Sequence, residues 1–104
     1  MCLFLKKSME SNVATIKAKA RKILKRHRVA RAGIFGSYAR GEAKKRSDID
    51  IVVEIPDDKL DLIGFIRIKN ELEHALGRRV DLVEYAALKS RLKERILKEE
   101  IAIV

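Results

Sequence analysis

Residues 36–50 read Gly36-Ser37-Tyr38-Ala39-Arg40-Gly41-Glu42-Ala43-Lys44-Lys45-Arg46-Ser47-Asp48-Ile49-Asp50, and the reading of the whole chain turns on them. A glycine-serine turn leaves one apolar strand, Val29 to Phe35, and two aspartates open another, Ile49 to Ile55. Side chains alternate along a strand, so Asp48 and Asp50 share a face, roughly 6–7 Å apart along the backbone. Carboxylates this close repel each other unless a cation sits between them. Oxygen donors suit hard divalent ions, and Mg²⁺ needs only one or two carboxylates besides substrate phosphates. The pattern points to phosphate chemistry.

The turn indicates where phosphates would go. Gly36 permits a kink and a close approach of main chain to ligand. Ser37 is expected to cap a short helix over Tyr38 to Arg40, whose free N–H groups would form an anion site. Arg40 adds a fork of donors matched to phosphate oxygens. Gly36, Ser37 and Arg40 are thus the candidate phosphate-binding residues.

The run Phe35-Gly36-Ser37-Tyr38-Ala39-Arg40-Gly41 through Ser47-Asp48-Ile49-Asp50 resembles the minimal nucleotidyltransferase (MNT) family of the DNA polymerase beta-like nucleotidyltransferase superfamily. That motif is Gly-Ser, a spacer, then Asp-x-Asp, and here the spacer is Tyr38 to Ser47. The resemblance covers residues 29–98 and implies a single α/β domain over 1–104, with a short mixed sheet flanked by helices.

At 104 residues the chain has room for one small domain that can bury a core. Hydrophobic residues make up 47% and charged residues 38%, a balance that fits a folded core under a well-solvated surface. The net charge of +9 favours acidic partners, whether nucleotides, nucleic acid or an acidic protein. Cys2 is the only cysteine, which excludes a disulfide framework or a cysteine-rich zinc site. Met1 to Leu5 is too short for a signal-peptide core, and no run approaches the ~20 apolar residues of a membrane span. A cytoplasmic protein with no membrane attachment is expected.

Taken in order, residues 1–11 read as a lead whose Leu3, Phe4 and Leu5 pack on the domain or on a partner. Ser11 or Asn12 is expected to cap a first helix. In it Val13, Ile16, Ala20, Ile23 and Leu24 recur at helical spacing as a core-facing stripe. Lys17, Arg21, Lys25 and Arg28 form a basic stripe on another face, suited to solvent, to phosphates or to an acidic partner. Gly41 to Ser47 is a loop whose Lys44, Lys45 and Arg46 could draw in a nucleotide or simply be solvated. Ile49, Ile51, Val53 and Ile55 should lie on helices, leaving the aspartate face towards a cleft. Pro56 ends that strand, and Asp57 or Asp58 can cap the next helix. That helix, Leu60 to Leu76, should bury Leu62, Phe65, Ile66, Leu72 and Leu76, and Gly77 stops it. Arg79 to Glu84 reads as a third strand. A last helix, about Leu88 to Lys98, has Leu88, Leu92 and Ile96 at four-residue steps, and Ile101 to Val104 is an apolar tail able to add a strand. His27 and His74 stand alone and read as surface or structural histidines. Tyr38 could shelve a base or pack on the turn.

Asp81, flanked by Val80, Leu82 and Val83, is awkward in a strand unless a carboxylate is needed there, either to pair with Arg79 or a helix lysine or to serve a site. In the superfamily a third carboxylate from an adjacent strand completes the metal site, and Asp81 is where this chain would supply it. The resemblance thus implies two Mg²⁺ ions held by Asp48, Asp50 and Asp81, with ATP as substrate and pyrophosphate leaving. Larger relatives carry extra domains for the acceptor. Chains of this length resemble MNT antitoxins of two-gene modules whose toxin is a HEPN-type ribonuclease. The implied reaction is therefore transfer of AMP to a hydroxyl, tyrosine by resemblance, of that partner. The alternatives are an antitoxin that neutralises by binding alone, a transferase acting on RNA or a small molecule, and a nucleic-acid-binding protein. The five scattered aromatics support a base-stacking platform poorly.

Overall fold

The computed structural model describes residues 2–43, 47–55 and 62–104. Lys44, Lys45, Arg46, Pro56, Asp57 and Asp58 lie outside the described residues, as do the side chains of Leu3, Phe4 and Leu5.

Helix α1 spans Cys2–Arg26, so it starts well before the cap expected at Ser11 or Asn12. No glycine or proline interrupts residues 2–26. Once a helix is nucleated, a serine or asparagine in mid-helix costs only a few tenths of a kcal/mol, too little to end it. At its far end Arg28 N–H bonds Lys25 O (3.0 Å) and Val29 N–H bonds Leu24 O (3.0 Å). This is a Schellman cap, with Arg28 rather than glycine in the left-handed position (φ 60°). The cap seats Val29 against Leu24, both buried, and delays the first strand to β1, Arg31–Phe35.

β1 runs antiparallel to β2, Ile49–Glu54. Helix α2, Leu62–Leu76, crosses over to β3, Val80–Glu84, which lies parallel to β2. A 3₁₀ turn over Tyr85–Ala87 and helix α3, Ser90–Glu99, bring the chain back to β4, Ile101–Ala102, antiparallel to β1. The sheet order is β3-β2-β1-β4, and the apolar tail does add a strand.

Both faces of the sheet are covered. On one, Ala32, Ile34, Ile49, Ile51, Val53, Val80 and Leu82 meet Ile16, Ala20, Ile23 and Leu24 of α1 and Ile68 and Leu72 of α2. On the other, Val52 and Tyr85 pack with Ile96 of α3. The face expected to open onto a cleft is therefore partly covered by α3, at Val52. Tyr38 is buried in the first core, which settles its role as packing. His27 Nε2 lies 3.0 Å from Glu71 Oε2 in a structural pair.

The inner face of α2 is rotated from the expected one. Ile68 and Leu72 are fully buried, while Leu62 and Ile66 are 72% and 45% exposed. Phe65, Ile68, Leu72, Ala75 and Leu76 follow the i, i+3, i+7 spacing of a single stripe, and Leu62 and Ile66 fall to its side. Leu92 of α3 is likewise exposed.

The chain end is pinned by Glu100. Tyr85 Oη donates to Glu100 Oε2 (2.6 Å), and Arg31 bonds Glu100 Oε1 (3.0 Å) while lying 4.9 Å over the Tyr85 ring. Glu100 reaches that position because residue 33 is glycine: a Cβ there would come within 3.0 Å of its carboxylate. Burial and the Glu100 carboxylate hold the Tyr85 hydroxyl protonated well beyond its ordinary range.

Candidate active site

The parallel register sets Asp50 directly beside Asp81. Paired residues on neighbouring strands face the same side, with backbones roughly 4.8 Å apart. Asp48 lies one residue before β2, close enough for its charge to act on the Asp50 carboxyl. Asp50 and Asp81 thus come from two strands onto one face, with Asp48 at the entry to β2 and Asp50 next to the turn that leaves β1.

Asp50 is half-buried, whereas Asp48 and Asp81 are exposed. Burial is the main cause that pushes the Asp50 carboxyl up to about 6, and the charges of Asp81 and then Asp48 push it the same way. Arg40 opposes them with a smaller effect. Among the described residues none of the three aspartates forms an ion pair within the protein, so Asp81 does not pair with Arg79.

Phe35 pairs with Asp50 across the β1–β2 ladder, so the turn begins against that carboxylate. Gly36 has φ +74°, and a Cβ built on it would collide with Asp50 Oδ2. Glycine is therefore required twice over, for its left-handed backbone and for the space that Asp50 takes up. The segment after it is not the expected short helix. Arg40 N–H bonds Gly36 O (3.1 Å), Gly41 N–H bonds Tyr38 O (3.4 Å) and Glu42 N–H bonds Ser37 O (2.8 Å), a succession of turns. Left-handed Gly36 and Gly41 bracket it, leaving too few residues for a helix to repay its nucleation. Ser37 is half-buried and caps nothing. Individual N–H groups of the turn, rather than a helix dipole, are what this segment would offer an anion.

One of those donors is engaged. Gly36 N–H donates to Glu99 Oε1 (3.3 Å), and Arg40 Nη1 donates to the same oxygen (3.3 Å). Arg40 Nε bonds Glu42 Oε2 (3.0 Å), and this bond is the main reason its guanidinium is held in the charged form. Glu99 closes α3 and sits 63 residues from Gly36, so no local pattern in the sequence could connect the two.

The donor chemistry fits Mg²⁺. Only carboxylate oxygens are offered, with no histidine or thiolate among them, which favours a hard ion. Among the described residues no group of three or more His, Cys, Asp or Glu is placed so that it could hold a metal ion. Mg²⁺ does not need such a group, because it keeps several waters and takes one or two carboxylates together with substrate phosphates. Burial, and then the charges of Asp81 and Asp48, raise the Asp50 carboxyl, an electrostatic cost that a bound cation would offset.

Comparison with known proteins identifies the family of the chain. The chain matches the nucleotidyltransferase domain over residues 17–104. It is 47% identical to the "putative protein adenylyltransferase" of Methanocaldococcus jannaschii, covering 89% of this chain and 99% of that one. It is 39% identical to the protein adenylyltransferase MntA of Thermococcus cleftensis, covering 92% and 96% respectively. Among solved structures, a toxin-antitoxin crystal structure with AMP-PNP superposes with TM-score 0.74 at 29% identity, over 85% of this chain and 72% of that one. A Shewanella oneidensis complex of a tri-AMPylated HEPN toxin with its MNT antitoxin gives TM-score 0.68 at 26% identity, over 88% and 71%. With the Gly-Ser turn, the aspartate strands and the matched span in agreement, this chain belongs to the nucleotidyltransferase domain family, among the homologues of MntA-type protein adenylyltransferases.

Proposed function

We propose that the protein is a Mg²⁺-dependent adenylyltransferase that moves AMP from ATP to a hydroxyl, that of a tyrosine, on a HEPN-type toxin, and thereby acts as its antitoxin in the cytoplasm. The observation that carries this reading is the register of Asp50 beside Asp81, with Asp48 just before β2 and Asp50 against the Gly36 turn. The relatives named as protein adenylyltransferases and the AMPylated toxin complex supply the substrate class.

In this reading Asp48, Asp50 and Asp81 would hold two Mg²⁺ ions, which when bound stabilise charge on the attacking and leaving oxygens of a phosphoryl group. Gly36 N–H, Ser37 and Arg40 hold the terminal phosphates of ATP and orient the α-phosphate towards the aspartates. The acceptor hydroxyl oxygen bonds to the α-phosphorus, the bond from that phosphorus to the β-phosphate bridging oxygen breaks, and pyrophosphate leaves. Asp81, exposed on the strand edge of the cluster, takes the hydroxyl proton. Holding the groups in line is itself a large part of the rate.

The test incubates the protein with its neighbouring-gene HEPN-type partner, Mg²⁺ and ATP labelled at the α-phosphate. Label and the mass of AMP are expected on the partner, and Asp48→Asn and Asp81→Asn should abolish both while their far-UV circular dichroism is unchanged. Labelling retained in Asp48→Asn would refute the assignment of the site. Neutralisation of the partner without any label would favour action by contact alone.

A further inference from the structure

We infer that Glu99 is a built-in anion occupying the phosphate donors of the Gly36 turn, and that nucleotide must displace it. The inference rests on the proposal that this turn holds the triphosphate. One carboxylate oxygen, Glu99 Oε1, accepts from both Gly36 N–H and Arg40 Nη1 at 3.3 Å. These are a backbone donor and a guanidinium donor converging on a single negatively charged oxygen, which is what a phosphate oxygen at that spot would require. The single Gly36 N–H cannot serve the carboxylate and a phosphate at once, and a carboxylate left beside a phosphate would repel it.

The placement of Glu99 makes the exchange a side-chain movement. It is the last residue of α3, and the next residue, Glu100, is fixed by Tyr85 Oη at 2.6 Å, by Arg31 at 3.0 Å and by its own N–H to Ile96 O at 2.8 Å. The backbone of the helix end is thereby anchored, while the Glu99 side chain is only partly buried, at 21% exposed, and open to swing towards solvent. Arg40 keeps a second partner in Glu42 after the exchange, so it is not left unpaired. Glu99 consequently sets how tightly nucleotide enters and leaves the chemical step alone. It acts as a gate on affinity, through Gly36 and Arg40, and is not a catalytic residue.

The experiment measures Mg·ATP binding by calorimetry to the full chain and to two variants that lose the same charge from the same helix. These are Glu99→Gln and, as control, Glu94→Gln, at an exposed position with no part in the turn. Glu99→Gln should bind about three- to ten-fold more tightly, the effect of weakening one partly exposed charge-assisted contact, and Glu94→Gln should match the wild type. With partner present, the gain should appear in KM for ATP with kcat unchanged. In the wild type the side-chain carboxyl carbon of Glu99 should shift in its NMR signal as Mg·ATP is added, a readout that needs no variant. Binding in the wild type with equal or weaker binding in Glu99→Gln, or with an unmoved Glu99 signal, overturns the role of Glu99 and leaves the nucleotide site standing. Absence of Mg·ATP binding in both the wild type and Glu99→Gln overturns the site and the inference together.

Discussion

Replacing Asp50 with asparagine should make the metal-free protein more stable while destroying transfer. The raised carboxyl, about 6 against 3.8 for the free side chain, means the folded state binds this proton more tightly than the unfolded state does. Below about pH 4 both states are protonated and Asp50 is neutral in its effect. As pH rises through 6 the folded state must carry a charge that burial, Asp81 and Asp48 all disfavour, so stability falls across that window. The shift of about 2 units converts to at most ~3 kcal/mol, and because Asp50 is only half-buried, solvent screening reduces this to about 1–2 kcal/mol. For a domain of this size that is roughly 5–10 °C in Tm.

The assay is thermal unfolding of wild type and Asp50→Asn between pH 4 and 8, in EDTA and again in Mg²⁺. In EDTA at pH 7.5 the variant should melt higher, and the gap should close as pH falls to 4. Mg²⁺ should raise the wild type and leave the variant nearly unmoved, since binding to the native state alone adds stability by mass action. A variant that melts lower than wild type at pH 7.5 in EDTA, or a gap independent of pH, would refute the reasoning that the three acids are crowded in want of a cation.

Gly36→Ala should cost about 1–2 kcal/mol for the left-handed backbone alone and should abolish transfer, because the new Cβ must push Asp50 out of line; denaturant unfolding together with the labelling assay measures both. Arg28→Gly should stabilise by about 0.5–1 kcal/mol, since glycine relieves the positive φ at the α1 cap, read as a higher urea midpoint with an unchanged slope.

The candidate site was legible in advance to the extent that its residues lie close together along the chain. Asp48 and Asp50 share a face by the two-residue period of a strand, and Gly36-Ser37 marks a turn by composition. Asp81 drew notice because an aspartate between valines needs a reason. Local pattern misled where two outcomes differ by little energy: the start of α1, the turns taken for a helix after Ser37, and the inner face of α2, where Leu62 and Ile66 look as apolar as Ile68. Glu99 gave no signal at all. It is one of three acids among the last eleven residues, and only folding carries it 63 positions back to Gly36.

From its residues alone the chain announced an α/β fold, a glycine-serine turn and two close aspartates at the start of a strand, because alternation and turn chemistry act over a few neighbours and survive in any context. What required the folded molecule was the pairing of Asp50 with Asp81, the packing of α3 on Val52 of their face, and the seating of Glu99 on the turn's donors. Those depend on strand register and helix placement, which are set by burying the two cores as a whole, and no short window of sequence contains that balance.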